Sequence, residues 1–356
     1  TALISNAIGK NDEKKASLLL AQAILTSLII SFLVTLVGIY GTGPILKFLK
    51  TNPEIIFYAK DYMDIIFLGA SLFFLQLTIN SFLVSRGDTK SLRNVLIITF
   101  FLNLVLNPIF IYGLYFIPAM GIKGIALATL CSQLFGLIYI ILKVNKTNLK
   151  KFLNPECFIP KYNLQKEILS QTIPATISMM LIGLGVFVLL FYVSTYGDYS
   201  AGGYGAAIRF EQLFLLPVLG LNASTLALVG QNFGAMNFGR IHETYGKSIF
   251  YGTLFMGICG LFIFFSSDYI MYFFSDNDEI IFYGSTYLKI AAFAGPCYPI
   301  FFISSALLQG LKKPNYQMVI NLMRMVILPV CGLSVAVLYL QVNFTTMFLV
   351  ILTINY

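Results

Sequence analysis

Ser17-Leu-Leu-Leu-Ala-Gln-Ala-Ile-Leu-Thr-Ser-Leu-Ile-Ile-Ser-Phe-Leu-Val-Thr-Leu-Val-Gly-Ile-Tyr40 contains no charged residue. As a helix rising about 1.5 Å per residue, such a run is long enough to cross the roughly 30 Å hydrocarbon core of a bilayer. Working outward, apolar runs of spanning length lie at about 17–40, 62–84, 93–113, 121–142, 168–194, 205–229, 247–267, 285–308 and 316–340. That makes nine complete spans. A tenth opens near 344, and residues 1–6 read as the tail of an earlier helix. The composition agrees: 58% of the 356 residues are hydrophobic and 11% are charged, against about 25% charged in a soluble domain. A soluble core cannot absorb this much apolar surface, whereas a bilayer can.

The basic residues orient the spans, because Lys and Arg concentrate in cytoplasmic loops. Loops 7–16, 85–93, 143–169, 231–247 and 309–316 together hold sixteen, and the intervening loops 41–61, 114–120, 195–204, 268–284 and 341–343 hold three. The first set is therefore expected in the cytoplasm. The net charge of +8 follows from these loops. Nucleic-acid binding is not expected, since no basic stripe interleaved with aromatics occurs. Cys131, Cys157, Cys259, Cys297 and Cys331 lack metal-ligand spacing and read as packing residues. The single histidine, His242, is expected in a loop. With no Ser nucleophile or acid cluster at mid-depth, an intramembrane enzyme is not expected. No Gly-x-x-x-x-Gly-Lys-[Ser/Thr] segment marks a primary pump.

The chain repeats itself. Glu54-Ile-Ile-Phe-Tyr58 recurs as Glu279-Ile-Ile-Phe-Tyr283, 225 residues on, and Tyr62 meets Tyr287 at the same offset. Gly87 meets Gly310 and Pro108 meets Pro329 at slightly shorter offsets. The two pentamers are six spans apart, which makes the repeat parallel, a known transporter design. The expected organisation is an N-terminal bundle over 1–145, a cytoplasmic linker over 146–166 and a C-terminal bundle over 167–356. Residue 1 matches residue 226, while the second half starts near 166. Two helices are thus expected to precede Thr1, and the end of the last helix to follow Tyr356. The expected fold is an all-α membrane protein of two parallel-repeat six-helix bundles, twelve helices in the complete protein.

A series of ordered segments resembles the multidrug and toxic compound extrusion (MATE) transporters over nearly the whole chain. Arg86-Gly87-Asp88-Thr89-Lys90 comes first, followed by Asn103-Leu-Val-Leu-Asn107-Pro108-Ile-Phe-Ile-Tyr-Gly113 and Gly121-Ile-Lys-Gly124-Ile-Ala126-Leu-Ala128-Thr129. The second half adds Ile208-Arg209-Phe-Glu211-Gln212, Leu216-Pro217, Gly220-Leu-Asn222, Val229-Gly230-Gln231-Asn232-Phe-Gly234-Ala235 and Leu308-Gln309-Gly310. The resemblance implies two lobes and export of drug-like solutes against entering protons or Na⁺. It departs at the acids of the NorM-type branch, whose Glu and Asp positions fall on Ile182 and Tyr298. An acidic position of the fifth family helix falls on Asn107.

Polar groups inside hydrocarbon are costly and so are functional candidates. Tyr62, Asn80, Asn103, Asn107 and Thr129 resemble the family's N-lobe polar cluster. Asn103 and Asn107 are four residues apart and share a helix face. No acid is counted in this cluster, so proton binding there is expected to need the preceding helix. In the second bundle Arg209, Glu211, Gln212 and Arg324 are the candidates. Arg209 and Gln212 share a face and Glu211 points elsewhere. Glu211 is expected to pair with Arg324 near mid-depth, or to act as a titratable carboxylate. Pro108, Pro217, Pro296, Pro299 and Pro329 are hinge candidates, because proline interrupts the helix ladder.

The expected function is a secondary antiporter in the plasma membrane that exports drug-like, often cationic amphipathic compounds in exchange for H⁺ or Na⁺. No cofactor or bound metal is expected beyond that coupling ion. The expected partners are small-molecule substrates and membrane lipid, with a monomer as the working unit. The alternative is a flippase of lipid-linked oligosaccharides with the same twelve-helix plan.

Overall fold

A computed structural model describes residues 1–48, 53–147 and 154–355 of the chain. The helices are α1 (Ala2–Gly9), α2 (Glu13–Phe48), α3 (Pro53–Leu68), α4 (Ala70–Ser85), α5 (Lys90–Tyr112), α6 (Ile122–Asn145), α7 (Tyr162–Ser194), α8 (Asp198–Gly234), α9 (Phe238–Phe274), α10 (Asp278–Ala294), α11 (Cys297–Gly310), α12 (Pro314–Leu322), α13 (Leu328–Leu333) and α14 (Phe344–Asn355). No named strand occurs among the described residues. Seven spans are continuous by length and hydropathy; α3 with α4 and α10 with α11 complete two more, bent by 44° and 53°. These nine spans coincide with the nine apolar runs. The first bend falls on Gly69, where a Cβ would strike the Leu130 side chain. The second falls at Gly295-Pro296, where proline supplies no N–H. Bilayer-facing surfaces account for the many large apolar residues left uncovered, Phe32, Phe100 and Phe265 among them.

The repeat is written into the backbone. Shifted by 225, α2 becomes 238–273 and α4 becomes 295–310, close to the observed α9 and α11. The turns repeat as well. Asn11 and Met236 both have φ 57°, Gly87 and Lys312 have φ 85° and 61°, and Tyr115 and Gln341 have φ 51° and 49°. These are left-handed turn residues that close helix ends. The backbone counterpart of Gly87 is therefore Lys312 rather than Gly310. The turn needs the positive φ, and in the second half an ordinary side chain tolerates it.

The chain divides into two compact units, the first essentially Leu3–Ile168 and the second Leu169–Tyr356. The first is centred on Leu19, Leu20, Phe82, Leu83 and Ile140; the second on Tyr204, Met271, Leu288, Leu333 and Met347. In the first unit Arg86 forms an ion pair with Glu13 and Ser85 Oγ donates to Thr1 O at 3.2 Å. Segments 7–16 and 85–93 therefore share one end, while Lys123 meets Asp61 at 3.3 Å at the other. In the second unit Gln171 Nε2 donates to Lys312 O at 3.4 Å at one end, and Tyr196 Oη donates to Val342 O at 2.7 Å at the other.

Part of the predicted linker 146–166 is fastened to the first unit; residues 148–153 lie outside the described residues. The buried Gln22 amide on α2 donates to Cys157 O at 2.7 Å and Ile159 O at 2.8 Å. Its oxygen accepts from Lys161 N at 3.1 Å and from Gln165 Nε2 at 2.9 Å. Thr26 and Gln165 add a bond of 2.6 Å. Gln22 was not singled out in the sequence. Its signal is an amide in an otherwise uncharged span.

Candidate transport site

Glu211 lies in the middle of α8 and is 4% exposed. Its Oε2 accepts a hydrogen bond from Tyr287 Oη at 2.5 Å, and its Oε1 accepts one from Tyr298 Oη at 2.9 Å. Tyr287 belongs to α10 and Tyr298 to α11, so the two donors stand on either side of the 53° bend. The Tyr287 ring is held edge-on by Tyr204 at 5.0 Å and by Phe348 at 4.9 Å between centroids. The result is a carboxyl group in an aromatic box, with both oxygens capped by phenol hydroxyls. Within two residues the face changes, and Arg209 and Gln212 are both exposed.

The expected Glu211–Arg324 pair is not formed. The tyrosine hydroxyls occupy both carboxylate oxygens, and the Arg324 guanidinium instead lies over the Phe301 ring at 4.2 Å from its centroid. A guanidinium in that position gains from the ring's negative face. The physical reason for the difference is local helix geometry. Arg324 lies in a π-helical turn, Met323–Ile327, that changes the direction of side chains relative to a regular helix. A second such turn, Ser334–Tyr339, follows, with Pro329 between them in the first turn of α13. Tyr287 and Tyr298 were not among the site residues expected from the sequence. Tyr287 had a signal, as the repeat partner of Tyr62. Tyr298 had only its place at a position that carries an acid in the NorM-type branch.

In the first unit Asn80 is buried, while Tyr62, Asn103, Asn107 and Thr129 are partly covered. No hydrogen bond joins any two of the five among the described residues, and Thr129 Oγ1 donates to its own helix at Ile125 O, 3.0 Å away. Among the described residues, four buried amide or carboxylate oxygens of this unit have no donor: Asp64 Oδ1, Gln76 Oε1, Asn80 Oδ1 and Asn107 Oδ1. Asp64 is an acid in the same unit that the sequence reading did not count. It lies on α3, inside the run 62–84, and was legible as an ionisable residue within a span. The Gln76 oxygen lies beside Gly136, where a Cβ would come within 3.0 Å of it. Unpaired buried acceptors are costly, and oxygens of this type are ligands for a hard cation.

The hinge candidates separate. Pro296 lies at the 53° bend. Pro299 sits in the first turn of α11, and a Cβ on Gly252 would approach it to 2.8 Å, so it packs tightly against α9. Pro108 and Pro217 lie inside unbroken α5 and α8. The 44° bend at Gly69 has no proline and was not expected.

A family model, MatE, matches residues 1–109 and 174–333. The chain belongs to the MatE family. MatE membership makes it a multi-pass membrane transporter polypeptide rather than an enzyme. Among its relatives, the probable multidrug resistance protein YpnP of Bacillus subtilis is 29% identical over 326 residues, covering 90% of this chain and 71% of that protein. The probable multidrug resistance protein NorM of Thermotoga maritima is 28% identical over 284 residues, covering 79% and 60%. The chain thus spans between three-fifths and three-quarters of the length of these two relatives. In fold it matches the outward-facing conformation of a multidrug resistance MATE family transporter, with TM-score 0.92, 22% identity, and coverage of 99% of this chain and 78% of the other.

Proposed function

We propose that this MatE protein is the body of a secondary antiporter of the plasma membrane, exporting drug-like, often cationic amphipathic compounds in exchange for H⁺ or Na⁺. The observation that carries the reading is Glu211, buried on α8 against α10 and α11 with two phenol donors and no basic partner among the described residues. An ionised carboxyl in that setting is expensive and favours capture of a proton or a cation. Protonation changes its hydrogen-bond logic. A carboxylate accepts from both tyrosines, whereas a carboxylic acid must donate through one oxygen, and one tyrosine then has to turn or let go. Because the tyrosines flank the bend between α10 and α11, titration of Glu211 pulls on that bend. The relatives described as multidrug resistance proteins support the substrate class.

The unpaired oxygens of Asp64, Asn80 and Asn107 in the first unit are further candidates for holding the coupling ion, as are Tyr62, Asn103 and Thr129. Arg209 and Gln212, exposed on α8, are the polar groups open to substrate, and the Arg324 guanidinium is half-covered against Phe301. The linker 146–166 joins the two halves. The basic loops 7–16, 85–93, 143–169, 231–247 and 309–316 face the cytoplasm. The shared ends within each unit support that grouping.

The test is dye export from proteoliposomes under an imposed Na⁺ gradient and, separately, a pH gradient. Wild-type movement under either names the ion, and Glu211→Gln is expected to slow it at least tenfold. Unchanged export by Glu211→Gln would remove this residue from coupling. No movement under either gradient, with helicity intact, would reject antiport and favour lipid-linked sugar flipping.

A further inference from the structure

A groove of about 480 Å³ opens in the second unit where α8 gives way to α9 and α11 to α12. Phe233, Phe238, Leu307 and Leu311 make its apolar wall, and His242 and Lys313 are its two basic side chains. Phe238 is 56% exposed. The Tyr245 hydroxyl, also in the lining, is engaged with Ser304 Oγ at 2.9 Å. The polar recognition available to a guest therefore falls to His242 and Lys313. The first turns of α9 and the α11–α12 turn carry Arg240, Lys247, Lys312 and Lys313 against one acid, Glu243. That acid is itself occupied by Lys247 at 2.6 Å.

We propose that this groove binds one anionic phospholipid, with its phosphate beside Lys313 and His242 and the upper part of an acyl chain against Phe233, Phe238, Leu307 and Leu311. Three observations select that occupant. The groove lies at helix ends, at the depth where headgroups meet chains. Its wall is apolar on the side continuous with the spans, while its charge is positive and concentrated at the turns, the arrangement that attracts anionic lipid. The same charge repels a cationic amphipathic substrate, which separates this groove from the transport path. A lipid seated here touches the α8–α9 turn and the α11–α12 turn together, beside the point where Gly310 already packs on Val229 and Gly230.

The test is native mass spectrometry of the purified chain in detergent, titrated with phosphatidylglycerol, with phosphatidylcholine of the same acyl chains, or with inorganic phosphate. The expected result is one retained phosphatidylglycerol, held at least tenfold more tightly than phosphatidylcholine. The double substitution Lys313→Gln with His242→Gln is expected to reduce that preference at least fivefold. Phe238→Ser is expected to weaken both lipids together. All three residues are exposed, and circular dichroism checks that helicity is kept. Equal retention of the two lipids, or an unchanged preference in the double variant, would overturn the proposal. Displacement of phosphatidylglycerol by equimolar inorganic phosphate would also overturn it, in favour of a soluble anion.

Discussion

At Glu211 a carboxyl group sits inside a span with two phenol hydroxyls and no Lys or Arg partner among the described residues. Hydrogen bonds to a charged group contribute about 1.5–3 kcal/mol, so Tyr298→Phe is expected to slow coupled export by about tenfold or more. Tyr204 provides the control. Its ring packs on Tyr287 and Phe348, but its buried hydroxyl has no partner. Tyr204→Phe is expected to leave export within about twofold and to raise the melting temperature, because a buried unsatisfied group is removed. A loss of export equal to that of Tyr298→Phe would show that packing, not the hydroxyl pattern, matters. At the surface, Asp88 accepts from Ser91 N at 3.0 Å and Ser91 Oγ at 2.6 Å, and so caps α5. Burial opposes its ionisation, but the Ser91 bonds and the Lys143 ammonium outweigh this and hold its carboxyl below the usual range. A depressed folded-state value stabilises above the unfolded-state value near 3.9, and the benefit is lost as pH falls through the folded value. Asp88→Ala is expected to cost about 1 kcal/mol at pH 7. Its melting-temperature deficit should narrow below about pH 4. A deficit independent of pH would locate the effect elsewhere.

At the scale of helices, glycines set how closely the spans approach. A Cβ on Gly124 would fall 2.6 Å from the Phe110 carbonyl carbon, so α5 and α6 touch backbone to backbone. Small residues permit such contact in membrane helices. Gly124→Ala is expected to destabilise by about 1–3 kcal/mol, since the backbone it meets cannot rotate away. On α2, Gly41 has only the Ile45 side chain near it, at 3.8 Å. There the same substitution is expected to stabilise by up to about 1 kcal/mol through helix propensity alone. Thermal melts of the two variants decide the contrast, and equal shifts would refute the packing argument. Gln22 offers a second element-scale test. It closes four hydrogen bonds to residues 157–165. Gln22→Ala is expected to speed amide exchange at Lys161 at least tenfold, with little change in the middle of α8; no change at Lys161 would show that the segment is held by other groups. The MATE-like piece Arg86-Gly87-Asp88-Thr89-Lys90 is accounted for at this scale. Gly87 takes the left-handed φ, Arg86 pairs with Glu13, and Asp88 caps the next helix.

For the whole molecule the decisive quantity is which loops share a side. The distribution of Lys and Arg assigns 231–247 to the cytoplasm and 268–284 to the exterior. In a cysteine-free background, Arg240→Cys and Asp276→Cys are expected to react with an impermeant maleimide from opposite faces. Labelling from the same face would break the alternation and with it the twelve-helix reading. The nine spans were legible because each is selected largely by its own apolar residues and needs no partner to be recognised. The repeat was legible for a similar reason. Glu54-Ile-Ile-Phe-Tyr58 and Tyr62 recur at an offset of 225 in the sequence, and the left-handed turns at Asn11 and Met236 follow the same offset in the backbone.

The sequence by itself determined the class, the spans, the repeat and the family, because hydropathy, loop charge and motif order are properties of position along the chain. It also marked Glu211 as a carboxyl inside a span. Only the tertiary structure decided what surrounds that carboxyl. Its partners come from residues 76 and 87 positions away, on helices joined by a bend at Gly295-Pro296. The expected partner, Arg324, was turned onto Phe301 within a π-helical turn. Helix rotation, bend and wide turns arise from packing between elements, and a one-dimensional pattern of apolar and polar residues does not specify them.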